Sequence, residues 1–326
     1  MQDRLFIEVA SVNKSINCCS VTDSNYIRPT SVTVASICKN NDDVVVNYFI
    51  VLNGIEITDK RLSCLLQLTN KYKNLVIRLI PVNSENLIPL DIQEKIGKTL
   101  ISSRFTLSVY LRLFLAEILP TTIDRVLYLD SDVLCLGGVL PLYTANLDGI
   151  PLLGVEDIHS AIHTKRLNLS AYINSGVLLI NLKYWRDKGV INNFYQHITD
   201  DCDLIKLHDQ DVINLTFDNS IRMVSNVWNY QFLPIPQNKE ITSVRLLHFI
   251  SEQKPWIRGN VSPYRKVWTD FCKHCLNWGR DGCEDSFSLA ERLIYKLQFF
   301  SFYFLPLNSK RRDVVKGLLS KLKALK

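Results

Sequence analysis

RVLYLDSDVLCL, residues 125–136, is an apolar run that two aspartates interrupt, Asp130 and Asp132. Its first five residues, 125–129, predict a buried strand that ends at Asp130. A carboxylate in apolar surroundings is unfavourable unless another group balances its charge. The stretch therefore predicts the end of a strand and, at that end, two acids that need a partner.

Apolar runs on both sides of this stretch predict further strands. Three lie upstream, at 16–21, 44–52 and 75–80, and two lie downstream, at 175–182 and 243–250. Helical patterns separate them: they begin at Pro29 and Asp59, cover TLSVYLRLFLAEIL as a buried amphipathic helix, and return at 183–197 and 210–217. The alternation of strands and helices predicts an α/β fold with a mixed, mostly parallel sheet flanked by helices.

The edge of the predicted sheet is the expected place for a site, because ligands of such sheets bind beyond the carboxyl ends of the strands. Asp23 follows the first strand and Asp130 follows the fourth. Oxygen ligands at the spacing of Asp130 and Asp132 suit Mg²⁺ or Mn²⁺. The alternative for an aspartate pair of this kind is two solvated loop acids.

Composition and charge exclude several classes. The 326 residues are 47% hydrophobic, enough for a sizeable core, and no apolar run reaches the ~20 residues of a membrane span. The last seventeen residues hold seven Lys or Arg and one Asp, so the charges of the remaining residues balance and no generally basic, nucleic-acid-binding body is expected.

The N-terminus lacks the pattern of a secretory signal. Nine scattered cysteines indicate a reducing compartment, and we expect those around Cys272, Cys275 and Cys283 to be ordinary thiols.

Two classes of enzyme place a D-x-D after an apolar strand. In haloacid-dehalogenase-like phosphatases, DSDVL would supply a nucleophile in Asp130 and its acid/base partner in Asp132. In nucleotide-sugar glycosyltransferases the pair holds a metal that bridges a diphosphate. The phosphatase motif normally opens its domain, whereas over a hundred residues precede it here, and no acidic GDxxxD motif follows.

Six motifs in order resemble glycosyltransferase family 8. They are VTDSNY (21–26), VYLRLFLAEIL (109–119), RVLYLDSDVL (125–134), YINSGVLLINLKYW (172–185), HDQDVIN (208–214) and LLHFISEQKPW (246–256). The resemblance implies a GT-A fold and transfer of a hexose from a nucleotide sugar with retention of configuration. The C-terminal extension is similar to the branch that builds the lipopolysaccharide core, which leaves UDP-glucose and UDP-galactose open as donors. A different glycan acceptor, such as O-antigen, capsule or a primer, also stays open, and so does a degenerate sugar-nucleotide-binding module.

The resemblance also implies a set of site residues. Asp130, Asp132 and His248 would hold the metal, and this mixed oxygen and nitrogen set suits Mn²⁺ somewhat better than Mg²⁺. The donor would be bound by Lys254 at the diphosphate and by Asp23, Asn25, Tyr26, Arg112, Asp130, Ser131, Asn174 and Ser251. Ser251 stands where relatives often have glycine, so the phosphate geometry is expected to differ there.

Retention of configuration sets the roles of the residues near the reacting carbon. Asp209 and Gln210, with Lys254, are implied as the catalytic group. Because an amide is a poor nucleophile, Gln210 favours attack by the acceptor on the face that the diphosphate leaves, and Asp209 then binds sugar. Asp211, Asn214, Trp228 and Asn229 are expected to support the site. These residues complete a catalytic domain predicted over 16–262, after a leader at 1–15.

The extension at 263–326 is predicted to be helical, aromatic and finally basic. Five apolar residues recur at helical spacing among the lysines of the tail: Val315, Leu318, Leu319, Leu322 and Leu325. This pattern indicates a basic amphipathic helix that docks on anionic lipid, so we expect a cytoplasmic protein peripheral to the inner face of the cytoplasmic membrane. The alternative is a terminal helix packed on the domain.

Overall fold

A computed structural model of the chain describes residues 14–100, 107–231, 241–250, 254–257 and 264–276, together with 314 and 317. Its strands are β1 Ser15–Thr22, β2 Val45–Asn53, β3 Leu75–Val82, β4 Arg125–Leu129, β5 Val133–Cys135, β6 Leu152–Glu156, β7 Ile173–Asn181, β8 Arg222–Met223, β9 Tyr230–Gln231 and β10 Leu246–His248.

The α-helices of the described residues vary from one turn to thirteen residues. They are α1 Ile27–Lys39, α2 Ser63–Leu66, α3 Leu68–Lys71, α4 Ser84–Leu87, α5 Leu90–Leu100, α6 Leu115–Ile118, α7 Leu140–Tyr143, α8 Ser160–Leu167, α9 Leu182–Asp187, α10 Val190–Asp200, α11 Asp209–Thr216 and α12 Arg265–Leu276. 3₁₀ turns lie at Lys60–Leu62, Leu107–Phe114, Asn226–Trp228 and Ile241–Ser243.

The main sheet has seven strands in the order β3-β2-β1-β4-β7-β6-β8. The four upstream strands run parallel, as predicted, while β7 is antiparallel to both β4 and β6. A smaller sheet has the order β5-β10-β9. The mixed, mostly parallel α/β prediction is therefore confirmed, and the parallel pairing of β1 with β4 brings the residues after both strands to one edge.

Successive residues of the central strands face opposite layers. Cys18, Tyr48 and Leu127 belong to a buried cluster that includes α1, whereas their neighbours Cys19 and Phe49 belong to a second cluster. The second cluster covers the other face of the sheet with the 107–114 turn, α10 and α11. Strands that are buried on both faces are apolar almost throughout, which is why the sequence shows them as continuous runs.

Three predicted elements differ in detail. Residues 106–119 were predicted as one α-helix, but the described part is a 3₁₀ run, Leu107–Phe114, followed by the single turn α6. The tight winding is held by tertiary contacts, because every side chain from Tyr110 to Phe114 is buried. The predicted helix 183–197 is broken at Gly189, which has a φ of 58° and caps the N-terminus of α10. The predicted strand 243–250 is only Leu246–His248, as long as its partner β5.

Helix α1 fixes the loop after β4 through a seam of buried hydroxyl groups. Thr33 Oγ1 donates to the carbonyl oxygens of Ser131 and Val133, at 3.1 and 2.8 Å. Thr30 Oγ1 lies 2.8 Å from Ser131 Oγ. The backbone N–H of Cys135 donates to Ser36 Oγ at 2.9 Å. The loop that carries the two aspartates is therefore bonded to a rigid helix along most of its length.

The region after residue 262 begins with a helix that joins the core. Trp268, Phe271, Cys272 and Cys275 of α12 lie in the same apolar cluster as α1. Within the stretches that the structure describes, no helix is both long enough and apolar enough to cross a membrane. The predicted basic helix of the tail, apart from positions 314 and 317, and the leader before residue 14 lie outside the described residues.

Candidate active site

Asp130, Asp132 and His248 converge where β4 and β10 end. One ligand atom of each lies within 4.8 Å of the other two. His248 Nε2 lies 3.2 Å from Asp132 Oδ1 and 3.8 Å from Asp130 Oδ2. Residues more than a hundred positions apart in the chain thus meet because β10 pairs with β5, directly after the aspartates.

The donor chemistry of these atoms fits a divalent cation. Asp130 Oδ1 accepts from Tyr128 Oη at 2.8 Å and forms an ion pair with Arg112 Nη2 at 3.0 Å, while Asp132 Oδ2 is paired with Lys254. The second oxygen of each aspartate faces the His248 ring. Asp132 Oδ1 is buried and makes no well-aligned hydrogen bond to any described residue. A buried carboxylate oxygen left without a donor is costly, and an oxygen-binding cation between these groups would satisfy it.

Asp132 is held in its charged form. Burial alone would raise its pKa, but the charge of Lys254, which contacts the carboxylate, holds the pKa of Asp132 well below its usual range. Lys254 Nζ also donates to the backbone carbonyl of Phe249, at 2.7 Å. Lys254, the residue predicted to bind the diphosphate, therefore lies against the predicted metal ligands.

Gly176 leaves the space that two of the predicted ligands, His248 and Asp130, occupy. A Cβ atom on this residue would lie 2.1 Å from His248 Cε1 and 2.8 Å from Asp130 Oδ2. Its carbonyl accepts from the backbone N–H of Asp130, at 2.8 Å, which holds the aspartate beside it. This glycine was not predicted as a site residue, although its place inside the NSG motif was available as a signal.

Arg112 links the predicted metal ligands to the predicted sugar site. Besides Asp130, its guanidinium meets Asp209 Oδ2 at 2.9 Å and the carbonyl of Ser175 at 2.8 Å. Its Cζ lies 4.7 Å from the ring centroid of Tyr128. Burial alone would lower the pKa of Arg112, but Asp130 and Asp209 raise it, so the cation is permanent.

Asp209 and Gln210, at the start of α11, face the first residues of β7. Asp209 Oδ2 accepts from Ser175 Oγ at 3.1 Å and forms an ion pair with Arg112 Nε at 2.9 Å. Burial raises the pKa of Asp209 to about 6, although Arg112 opposes this effect. Gln210 Oε1 accepts from the Ser175 backbone N–H at 3.0 Å and from Asn174 Nδ2 at 3.2 Å.

Two further groups beside Gln210 were not predicted as ligands. Asp157, which follows β6, accepts from Asn174 Nδ2 at 3.2 Å and from Gln210 Nε2 at 3.3 Å. Tyr172 donates to Asp211, which also accepts from Arg166 at 2.7 Å. Asp211 is fully buried, in keeping with the supporting role expected of it. Asp157 has no motif around it, so only its position after a strand could have indicated it.

The predicted nucleotide-binding residues lie at the same sheet edge, in an open groove of about 370 Å³. Asp23 and Asn25 line it with Asn53 and Ser84, which lie at the ends of β2 and β3. Asp23 Oδ1 accepts from the Asn25 backbone N–H at 2.8 Å, so the segment is an Asx turn. Tyr26 forms an edge contact with Trp256, with ring centroids 5.9 Å apart.

The structure thus brings most of the predicted residues to one edge. Ser131 joins the two regions, since its Oγ lies 2.8 Å from Thr30 Oγ1 and 3.4 Å from the carbonyl of Val21, just before the Asx turn. Ser251 lies outside the described residues.

An α/β sheet of this order, with a D-x-D and a histidine gathered at its edge, is the arrangement of the GT-A fold. The galactosyltransferase LgtC, solved in complex with donor and acceptor sugar analogues, shares the fold with a TM-score of 0.65 at 23% identity over 85% of this chain and 99% of LgtC. The glycosyltransferase GlyE of Streptococcus pneumoniae gives 0.59 at 22% identity, over 79% of this chain and 60% of GlyE.

The sequence comparisons give the family. The model of glycosyl transferase family 8 matches residues 17–259, and the chain belongs to this family. A curated relative is the lipopolysaccharide 1,2-glucosyltransferase of Escherichia coli (strain K12), 26% identical over 301 residues, which cover 87% of this chain and 85% of the relative. The family recognised from the six motifs is therefore confirmed, and with it a glycosyltransferase that resembles those of the lipopolysaccharide core.

Proposed function

We propose that the protein is a retaining, metal-dependent hexosyltransferase that moves glucose or galactose from a UDP-sugar to a lipopolysaccharide core oligosaccharide. The observation that carries this proposal is the meeting of three ligand atoms, from Asp130, Asp132 and His248, within 4.8 Å. The lipopolysaccharide glucosyltransferase among its relatives supports the acceptor class.

The groups that would bind the diphosphate are cations at the sheet edge. A divalent metal held by Asp130, Asp132 and His248 would neutralise the diphosphate and stabilise it as a leaving group. Lys254 is placed to add a positive charge on the same side, because its ammonium already contacts Asp132. The Asx turn at Asp23 and Asn25 would hold the uridine in the neighbouring groove, with Tyr26 beside it.

The hydrogen bonds of Gln210 support same-face attack by the acceptor. Its carbonyl oxygen, the only nucleophilic atom that an amide offers, accepts hydrogen bonds from Ser175 and Asn174. A lone pair engaged in this way is not free to attack carbon. Asp209 is tied to Arg112 and Ser175, so we assign it to sugar binding and to orienting Arg112. The nucleophile is then the acceptor hydroxyl itself.

The three competing functions are supported unequally. The family 8 match decides against a phosphatase, since it spans the D-x-D. Transfer to another glycan keeps every residue role and changes only the acceptor. A degenerate binding module would have to retain Asp130, Asp132, His248, Lys254 and Asp209 together without using them.

Purified protein, Mn²⁺ and a panel of UDP-hexoses test the proposal. We expect slow UDP release with one donor, faster release when truncated lipopolysaccharide is added, and loss of both in Asp132→Ala. The exposed Asp43→Ala is the matched control and should retain activity. UDP binding without release from any donor would instead support the binding module.

The tail completes the proposal. The basic pattern of residues 310–326 supports attachment to the inner face of the cytoplasmic membrane, where a lipid-linked acceptor is available. The tail would then raise the local concentration of acceptor and would not contribute residues to the transfer reaction.

A further inference from the structure

We propose that Asn229 is a positioning residue that fixes the tautomer of His248. The orientation of the Asn229 amide is in turn fixed by the backbone N–H of Gly176, through the side chain of Asn174. In this tautomer the ring proton is on Nδ1, and Nε2 presents a lone pair to the two aspartates. The inference rests on the proposed function in one respect only, that these three residues bind a metal.

The chain of contacts begins at Asn174, whose amide can point in only one direction. Its Oδ1 accepts from the backbone N–H of Gly176 at 3.1 Å, and a backbone N–H can only donate. Its Nδ2 donates to Asp157 Oδ2 at 3.2 Å, and an ionised carboxylate can only accept. Rotating the amide by half a turn would lose both bonds, so these two fixed groups determine which atom is oxygen.

The orientation of Asn229 follows from that of Asn174. An amide nitrogen of Asn229 lies 2.9 Å from Asn174 Oδ1, which is an acceptor, so Asn229 must donate there through Nδ2. Its Oδ1 then faces His248 Nδ1, at 3.0 Å. Asn229 is fully buried and Asn174 is 7% exposed, so water cannot readily substitute for either partner.

The tautomer of His248 is the last consequence. An acceptor at 3.0 Å requires a proton on Nδ1, and a neutral ring then carries its lone pair on Nε2. That nitrogen lies 3.2 Å from Asp132 Oδ1 and 3.8 Å from Asp130 Oδ2. Three acceptor atoms consequently face one another, an arrangement that suits a cation and explains the unsatisfied oxygen of Asp132.

A second-sphere bond of this kind matters because it makes metal binding independent of a tautomer change. Without it, an imidazole that keeps its proton on Nε2 would have to transfer that proton before it could coordinate. Loss of such partners commonly lowers metal affinity by about 10–100-fold. The signal is dispersed in sequence: Asn174, Gly176, Asn229 and His248 belong to three separate segments, which only the fold joins.

The test measures the tautomer directly and uses Mn²⁺ alone as the ligand. ¹⁵N-histidine NMR of the metal-free protein, at mildly alkaline pH, is expected to show His248 protonated on Nδ1, with its signal assigned by its loss in His248→Gln. Two variants separate the roles of Asn229. Asn229→Leu removes the acceptor, whereas Asn229→Asp keeps an acceptor toward His248 and loses the donor toward Asn174.

We expect Asn229→Leu to populate the other tautomer and to weaken Mn²⁺ binding by about 10–100-fold, measured by electron paramagnetic resonance. Asn229→Asp should keep the Nδ1 proton and retain Mn²⁺ affinity within a few fold, even if it unfolds at lower temperature. A merely structural role would make metal affinity follow stability in both variants, and that result would overturn the proposal.

The wild-type spectrum decides the matter even if Asn229→Leu does not fold, because a His248 protonated on Nε2 contradicts the inference by itself. Failure of the proposed function is distinguishable: a protein that binds Mn²⁺ with the expected tautomer but transfers no hexose would leave this inference intact. A protein that transfers hexose with an unaltered tautomer in Asn229→Leu would refute only the inference.

Discussion

Gly176→Ala is expected to remove the metal site while the fold remains. The added Cβ would lie 2.1 Å from His248 Cε1, whereas carbon atoms in contact are about 3.5 Å apart. The His248 ring must therefore retreat by about 1.4 Å if the strand does not move. Gly176 is not among the glycines with positive φ, so the backbone itself accepts alanine.

The size of the effect follows from the tolerance of metal coordination. Ligand distances in metal sites vary by about 0.2 Å, so a displacement of about 1.4 Å takes His248 out of the coordination sphere. Crowding a packed site costs about 1–3 kcal/mol, and each kcal/mol lowers Tm by no more than roughly 2–4 °C in a chain longer than about 250 residues. We expect Mn²⁺ affinity to fall by at least about 10-fold.

Gly154→Ala is the matched control. Its Cβ would also be crowded, at 2.6 Å, but by the flexible end of Ile173 rather than by a predicted metal ligand. Mn²⁺ titration monitored by electron paramagnetic resonance, with circular dichroism on the same samples, should show a loss of affinity in Gly176→Ala only. A folded Gly176→Ala protein that binds Mn²⁺ as tightly as wild type would refute the reasoning.

Three further predictions concern stability, the loop and the tail. Burial alone would raise the pKa of Asp211, but hydrogen bonds from Arg166 and its other donors hold that pKa below the ordinary value. Asp211→Asn should therefore be destabilised at neutral pH. The pH-dependent part of the loss, measured by urea unfolding, should begin to shrink as the pH falls below about 4 and should vanish below the lowered pKa of Asp211 in the folded protein. Thr33→Val leaves two buried carbonyls of the aspartate loop without their donor and should cost about 1–3 kcal/mol and weaken Mn²⁺ binding. Removal of residues 310–326 should release the protein from anionic vesicles at low salt in a sedimentation assay.

Each of these has its own control. The direction of the pH effect follows because the pKa of Asp211 is lower in the folded than in the unfolded protein, so its ionised form stabilises the fold above the unfolded pKa. A difference in the free energy of unfolding between wild type and Asp211→Asn that stays constant with pH would contradict this prediction. The exposed Thr144→Val should affect neither stability nor Mn²⁺ binding, and equal losses in both threonine variants would argue against the α1 seam. Vesicle pelleting that survives the truncation would exclude the tail as the anchor.

The fold was largely predictable because its signal is local. Strands buried on both faces are apolar almost throughout, so β1, β2 and β4 were located within one or two residues, and the half-exposed edge strand β3 was located equally well. The 3₁₀ run at 107–114 was predicted as an α-helix, since helical periodicity does not reveal the tertiary contacts that tighten a turn. The break at Gly189 escaped for a similar reason, because an isolated glycine inside a helical pattern is often tolerated.

The sequence by itself determined the α/β class with its mostly parallel sheet and, through its motifs, the family. Only the tertiary structure decided which atom faces which: the contact of His248 Nδ1 with Asn229, the clearance at Gly176 and the hydrogen bonds of Gln210. The physical reason is that hydrophobic periodicity is read along a few consecutive residues, whereas a hydrogen bond depends on the register of strands far apart. A slip of one residue in β7 would turn both Asn174 and Gly176 to the opposite face of the sheet, away from the predicted metal ligands.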